Sequence, residues 1–596
     1  AEQPDDFAIS ATSGLDSIDT GTAFQLSDAE HFHRGSVYAF DHQFGKAREH
    51  FQALLDAFPS SPLAPKAVYE IGRADAQERD FADAVKWFER GQEQVDDPDT
   101  AKDSLLQAAS AYSRLGKQHE AIARYQSFIQ KYPDDERAGR AELNIIDALR
   151  DEGEETAALQ QAQKVQESYQ GKLYEPLALF AEARIYLVRD DWNAALSAFE
   201  KLSAFADLGG ASVPGGTNTA EITFLRGYVL EQLGRSADAV DVYLSIPDGQ
   251  NEYYGWRATE RLQAMASLPA AASIVSAKLD ALIADVRARD PQVSRISAAA
   301  ALRLAKDGET REKLLSILRR SAGAGVKRRP KFNLISPERK DILIVQRSKP
   351  GETHKTIAGE LNFLGLPDEA APEYEAALIE AAPRFPVDAA YTLSTMYAKG
   401  DRGDRAARFA QGLSDSEGSA QILDPAIARL FYPAPFRNGL RSCAAANGVD
   451  PRLLLSITRQ ESGFRPYARS NSAARGILQF ISTTADDTAR SLGLPDFRSD
   501  DLYDPETSIL FGCRHVRDLF TVFPELPDAV AGAYNAGDDN MKRWLGRSKS
   551  RMPEHYVPEI AFAQTKDYVY RVMSNYRMYR LLYDEDLNIK NESVQK

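Results

Sequence analysis

The chain has 596 residues, too many for one hydrophobic core, so several domains or a long repeat array are expected. With 43% hydrophobic and 27% charged residues it has the balance of a folded protein, not a disordered one. Its net charge of −15 argues against a nucleic-acid partner and against a polybasic membrane-binding face. Two cysteines, Cys443 and Cys513, exclude a disulfide framework and a thiolate zinc cluster, and leave one disulfide or two free thiols open. There is no run of about eighteen apolar residues, so no bilayer-spanning helix is expected. The start at Ala1, without a methionine or an apolar leader, fits a chain from which a secretory signal has been removed.

Residues 1–28 are polar and acidic, lack helical periodicity, and are expected to form a flexible or wrapping arm. Residues 29–250 then carry a repeat. Ala47, Ala84, Ala121, Ala158 and Ala195 are spaced 37 apart. Four positions after each stand Phe51, Phe88, Tyr125, Ala162 and Phe199, and a shifted copy follows at Ala239 and Tyr243. A small residue and an aromatic at this spacing share one helix face, where the first lets a neighbouring helix approach and the second fills the gap. The unit resembles the tetratricopeptide family at a slightly long period, an architecture that by itself says little about function.

Residues 251–428 keep a helical pattern while the repeat blurs, as in Ile296–Lys306 and Asp388–Gly400. A basic stretch at about 327–355 interrupts them and reads as a solvated loop or linker. His354 and His515 have no metal-ligand spacing around them and receive no role.

Residues 429–596 carry the chemistry. Within 449–464 one helix is predicted, with Asp450 as its cap, Pro451 at the first position and Gly463 at its end. Glu461 lies four residues after Ile457 and seven after Leu454, on the same apolar face and in the last turn. Burial and the negative end of the helix dipole both disfavour a carboxylate there, so its pKa should be raised, as a proton donor to a glycosidic oxygen requires.

After this helix come Ser470-Asn471-Ser472-Ala473-Ala474-Arg475-Gly476-Ile477-Leu478-Gln479, then Ala533-Tyr534-Asn535-Ala536-Gly537, then the string from Ile560 to Met573. In this order they resemble the family 1 soluble lytic transglycosylases, which have a goose-lysozyme-like catalytic domain. The lead-in Leu430-Phe431-Tyr432-Pro433-Ala434-Pro435-Phe436 resembles that of the larger members, which have an α-superhelical N-terminal part. The implied fold is all-α, a tetratricopeptide-like superhelix followed by a lysozyme-like, mainly α catalytic domain. The resemblance implies Glu461 as the lone acid and base. It implies Ser470, Gln479, Ile481, Tyr534, Asn535 and Tyr568 as the residues around the substrate, with neither metal nor cofactor. It implies peptidoglycan glycan strands as substrate, a periplasmic location at the cell envelope, and cell-wall synthesis or division proteins as partners of the repeats. Gln479, polar in an apolar stretch, is read as functional.

The chain also departs from the family. It has Ala473-Ala474 for Gly-Ala, Ile477-Leu478 for Leu-Met, Ile481-Ser482 for Met-Pro, Asp538-Asp539-Asn540 for Gly-Pro-Gly, and Gln564-Thr565-Lys566 for Glu-Thr-Arg. The last change removes a cleft carboxylate, so subsite preference is expected to differ. Two rival readings follow. One is a goose-type hydrolase using Asp538 or Asp539 to orient water, and the other a scaffold that grips glycan without cutting it.

Overall fold

The computed structural model describes residues 6–19, 26–94, 97–287, 291–323, 352–381, 387–413 and 425–590. Most of the basic stretch therefore lies outside the described residues. Among those described the protein is all-α, and β pairing is limited to isolated bridges such as Arg469 with Arg475 and Arg475 with Phe480. Two compact units are formed. One contains Ala1–Ile222, Ala468–Leu502 and Ala536–Lys566, and the other Thr223–Tyr467, Tyr503–Asn535 and Asp567–Lys596.

In the first unit, antiparallel helix pairs run from Asp28–Phe40 with Phe44–Ala57 to Tyr174–Val188 with Trp192–Leu202. Local signals start these helices. Ser27 and Glu30 form a reciprocal capping box, and Asp80, Asp97 and Asp191 each accept a backbone N–H three residues on. Every repeat alanine from Ala47 to Ala195 is fully buried.

The repeat aromatics pack on a position sixteen residues earlier. A Cβ at Gly35 would sit 2.7 Å from the Phe51 ring, and one at Gly72 would sit 2.9 Å from that of Phe88. At the fourth copy the contact is inverted, with Ile146 supplying the bulk against Ala162 in one buried cluster. Volume is conserved across the contact while the large side chain changes helix, as close packing demands.

Of the N-terminal stretch, read as a flexible or wrapping arm without helical periodicity, Asp6–Asp19 is a helix. Asp16 on this helix accepts hydrogen bonds from Arg34 and Tyr38 and is met by His50 Nε2 at 3.2 Å. Beyond Ile9 its large apolar residues are exposed and polar tertiary contacts do much of the holding, which is why the pattern of residues hides it.

Buried ion pairs join the segment Ala536–Lys566 to the repeat helices of the same unit. Glu559, 1% exposed, accepts two hydrogen bonds from Arg150, at 2.7 and 2.5 Å, and one from Arg184 at 2.9 Å. Arg547 pairs with Asp147 and Asp151, and Lys566 with Glu221 and the carbonyls of Gly216 and Pro558.

In the second unit Arg303 is buried and, among the described residues, makes no ion pair with a carboxylate. It donates instead to Thr259 Oγ1 and to the carbonyls of Tyr243, Ile246 and Gly255. Carbonyls near helix ends carry partial negative charge, which offsets part of the cost of the buried cation. The two cysteines form a disulfide, Cys443–Cys513, joining helix Arg437–Asn447 to helix Pro505–Val522.

Candidate active site

The helix that carries Glu461 runs over Pro451–Ser462. The Asp450 carboxylate caps it by accepting from Arg452 N, Pro451 opens it, and Gly463 closes it at φ 58°. Arg452 and Tyr576 grip the cap from its other side, Tyr576 OH donating at 2.8 Å. Behind the helix, Tyr583 and Tyr579 donate to the carbonyls of Tyr432 and Pro433, and Arg459 stacks over the Tyr432 ring at 4.4 Å. The Leu430–Phe436 lead-in is thus a brace for the helix. Leu454 and Ile457 are fully buried.

Glu461 is half-buried on that face. Tyr568 OH donates to its Oε1 at 2.6 Å, and among the described residues it has no ion pair. Burial pushes its carboxyl up to about 7, and the Tyr568 hydrogen bond opposes the rise without cancelling it. Tyr534 lies within the same electrostatic neighbourhood, its phenol held neutral by burial and then by the Glu461 charge. His515, to which no role was assigned from sequence, packs edge-on against Tyr534 with ring centroids 5.3 Å apart. The structure therefore brings together Glu461, Tyr534 and Tyr568, with the exposed Asn535 next in the chain. A neutral carboxyl with a phenol donor beside it is set up to give a proton and then to be stabilised as an anion.

Ser470, Gln479 and Ile481 belong to the other unit, on a loop with its own hydrogen bonds. Ser470 Oγ accepts from the N–H groups of Ser472 and Ala474, at 3.0 and 3.1 Å. Gln479 has a left-handed backbone, φ 51°, and its Nε2 donates to the carbonyls of Ala468 and Gly476 at 3.0 and 2.8 Å. So the residue that seemed hardest to explain structurally has a structural role. Ile481 is half-buried at the start of helix Ser482–Leu492.

The departures also find partners. Lys566 is buried against Glu221, while Gln564 is exposed. Asp538 and Asp539 start helix Asp538–Ser548 and are engaged by Arg79 and Lys542. No group of three metal-ligating side chains gathers among the described residues. What sequence reasoning missed is Arg475, 3% exposed in the Ser470–Gln479 loop. A charged residue in an otherwise small and apolar stretch was the available signal.

Residues 440–557 match the transglycosylase SLT domain, and residues 34–98 and 103–135 match tetratricopeptide repeats. A Haemophilus influenzae protein provisionally named a soluble lytic murein transglycosylase is 34% identical over 139 residues. The soluble lytic murein transglycosylase of Salmonella typhimurium is 28% identical over 151. These matches take in 23% and 25% of this chain, and the chain spans only 23% of the length of each relative. The crystal structure of the 70 kDa soluble lytic transglycosylase of Escherichia coli aligns over 98% of this chain and 97% of its own, at 16% identity and a TM-score of 0.32. The C-terminal part of the chain is thus similar to the transglycosylase SLT domain, and segments similar to tetratricopeptide repeats precede it.

Proposed function

We propose that the protein is a peptidoglycan lytic transglycosylase, cleaving the β-1,4 bond from N-acetylmuramic acid to N-acetylglucosamine with Glu461 as acid and then base. One observation carries the reading: a carboxyl raised to about 7, without a cation partner among the described residues and hydrogen-bonded to Tyr568, inside a matched SLT domain. Neutral Glu461 protonates the glycosidic oxygen as the bond to C1 breaks, and the 2-acetamido group stabilises the oxocarbenium-like centre. The carboxylate left behind keeps the Tyr568 hydrogen bond. It then takes the proton of the C6 hydroxyl, whose oxygen closes on C1 to give a 1,6-anhydromuramyl end. No water is added, and the internal nucleophile makes a second carboxylate unnecessary.

The engagement of Asp538 and Asp539 by Arg79 and Lys542 favours this route over hydrolysis, because a carboxylate held by cations is a weaker base. Tyr534 and Asn535 orient acid and acetamido sugar, and Ser470, Gln479 and Ile481 contact the strand. The setting is the periplasm, where the repeats serve as a docking surface for other cell-wall proteins. The test is mass spectrometry of products from purified peptidoglycan, comparing wild type with Glu461→Gln. Anhydromuramyl products lost in the variant support the reading. Products one water heavier would show a hydrolase, and no product from either protein would leave a glycan-binding scaffold.

A further inference from the structure

The loop with Ser470 and Gln479 is not held by its own backbone alone. Arg475, at its centre, sends Nη2 to Asp41 Oδ1 and to Asp6 Oδ1, each at 2.8 Å. Asp41 ends the first repeat helix and is 3% exposed, and Asp6 opens the N-terminal helix. The other arm of the guanidinium, Nη1, donates to the loop carbonyl of Ala473 at 3.1 Å. Arg469 donates to the same Asp6 oxygen at 3.0 Å, and Asp500 lies 3.7 Å from Arg475 Nε. His42 Nε2 lies 2.9 Å from the carbonyl of Ser472, an acceptor only, so Nε2 carries the proton. All of these residues belong to one compact unit.

The loop needs this support. Ala473 and Gln479 have left-handed backbones at φ 55° and 51°, a conformation that side chains other than glycine disfavour. The bonds made by Ser470 Oγ and Gln479 Nε2 exist only while that backbone is kept. Filling space would not call for a buried cation, since apolar side chains of similar volume stabilise as well or better. A planar guanidinium adds direction, fixing one loop carbonyl relative to two carboxylates.

We infer that Asp41, Asp6 and His42 of the N-terminal helices are positioning residues for the substrate loop: the two carboxylates through Arg475, and His42 through the Ser472 carbonyl, hold Ser470 and Gln479 in the conformation that meets the glycan strand. The inference rests on the proposed role of those two side chains.

It is tested in the full chain with Asp41→Asn, by backbone hydrogen exchange and by steady-state cleavage of purified glycan strands. Loss of a charge-assisted hydrogen bond should speed exchange of the Ser470, Arg475, Gly476 and Phe480 amides about tenfold, with helix Pro451–Ser462 unchanged. KM should rise by about the same factor with kcat and the pH profile retained. Equal acceleration in loop and helix, with kcat falling at constant KM, would show general destabilisation and overturn the inference. So would unchanged exchange, or faster loop exchange with unchanged KM. If Asp41→Asn does not fold, Asp6→Asn, at a carboxylate whose side chain is 33% exposed, reads the same quantities. A wild type that cleaves nothing refutes the proposed function, and exchange still decides what supports the loop.

Discussion

Two buried glutamates within a hundred residues of each other have opposite fates. Glu559 sits among cations, and Arg150 and Arg184 hold its carboxyl below the ordinary range despite complete burial. Glu461 is less deeply buried, yet burial pushes its carboxyl up to about 7, because among the described residues no cation pairs with it and the Tyr568 phenol only partly opposes the rise. Depth of burial alone therefore does not set the protonation state. The presence or absence of a guanidinium does, and it separates a carboxylate that fastens the structure from an acid that can do chemistry.

The comparison breaks most sharply at Glu461 itself. Glu461→Gln preserves shape and the Tyr568 hydrogen bond but has no proton to give, so turnover of glycan strands should fall by about 10³-fold. A variant that keeps even a tenth of the wild-type rate would remove Glu461 from the mechanism. The matching change in the fastener is Glu559→Gln, which leaves two buried guanidiniums short of a counter-charge. Chemical denaturation at pH 7 should show a loss of about 3–5 kcal/mol, the usual cost of breaking a buried pair from one side. Because the folded pKa of Glu559 is depressed, its contribution is present above the ordinary carboxyl pKa and lost as pH falls through the folded value. The gap between the two proteins should therefore narrow in acid, and a gap that widened would refute the assignment.

How much of this contrast was legible in the residues depends on distance along the chain. The cap at Asp450, the end at Gly463 and the apolar face of Glu461 are set within one helix, and local patterning finds them. Tyr568 was reached through the family resemblance alone, since 107 positions separate it from Glu461. The cations around Glu559 lie 409 and 375 positions away, and Asp41 lies 434 from Arg475, beyond any local pattern. Gln479 shows the opposite case. A polar side chain in an apolar run reads as functional, and its Nε2 also has a structural task that no local pattern announces, donating to two carbonyls of its own loop. The Asp6–Asp19 helix escaped because ion pairs hold it, with Phe7 84% exposed.

A third measurement uses the same substitution, Glu461→Gln, with stability as the readout. The folded carboxyl has a pKa above its unfolded value of 4.5, so the native state binds the proton more tightly. Wild-type stability therefore declines as pH rises from about 4.5 through 7, and the penalty is complete above 7. Glutamine carries no such penalty. Against wild type, Glu461→Gln should be nearly equal in stability at pH 4 and more stable at pH 8, by on the order of 3 kcal/mol. Removal of the active acid would then stabilise the fold where removal of Glu559 weakens it. Equal stability at both pH values would mean that Glu461 has an ordinary pKa.

The smallest effect is the most specific, because it concerns the one polar group that distinguishes Glu461 from an acid left alone in an apolar site. Tyr568 OH favours the carboxylate, and its removal in Tyr568→Phe should move the Glu461 pKa further up from about 7. Two consequences of opposite sign follow. On the alkaline side, where activity falls as the acid loses its proton, the limb should shift to higher pH. Below pH 7 the rate should drop, because the anion formed on proton transfer has lost a donor. A net hydrogen bond of about 1 kcal/mol makes that drop about fivefold. A general loss of structure lowers the whole profile without moving its limb, whereas loss of this donor moves the limb as it lowers the plateau. A limb that stayed in place or moved down would show that Tyr568 does not set the protonation of Glu461, leaving burial as its one determinant.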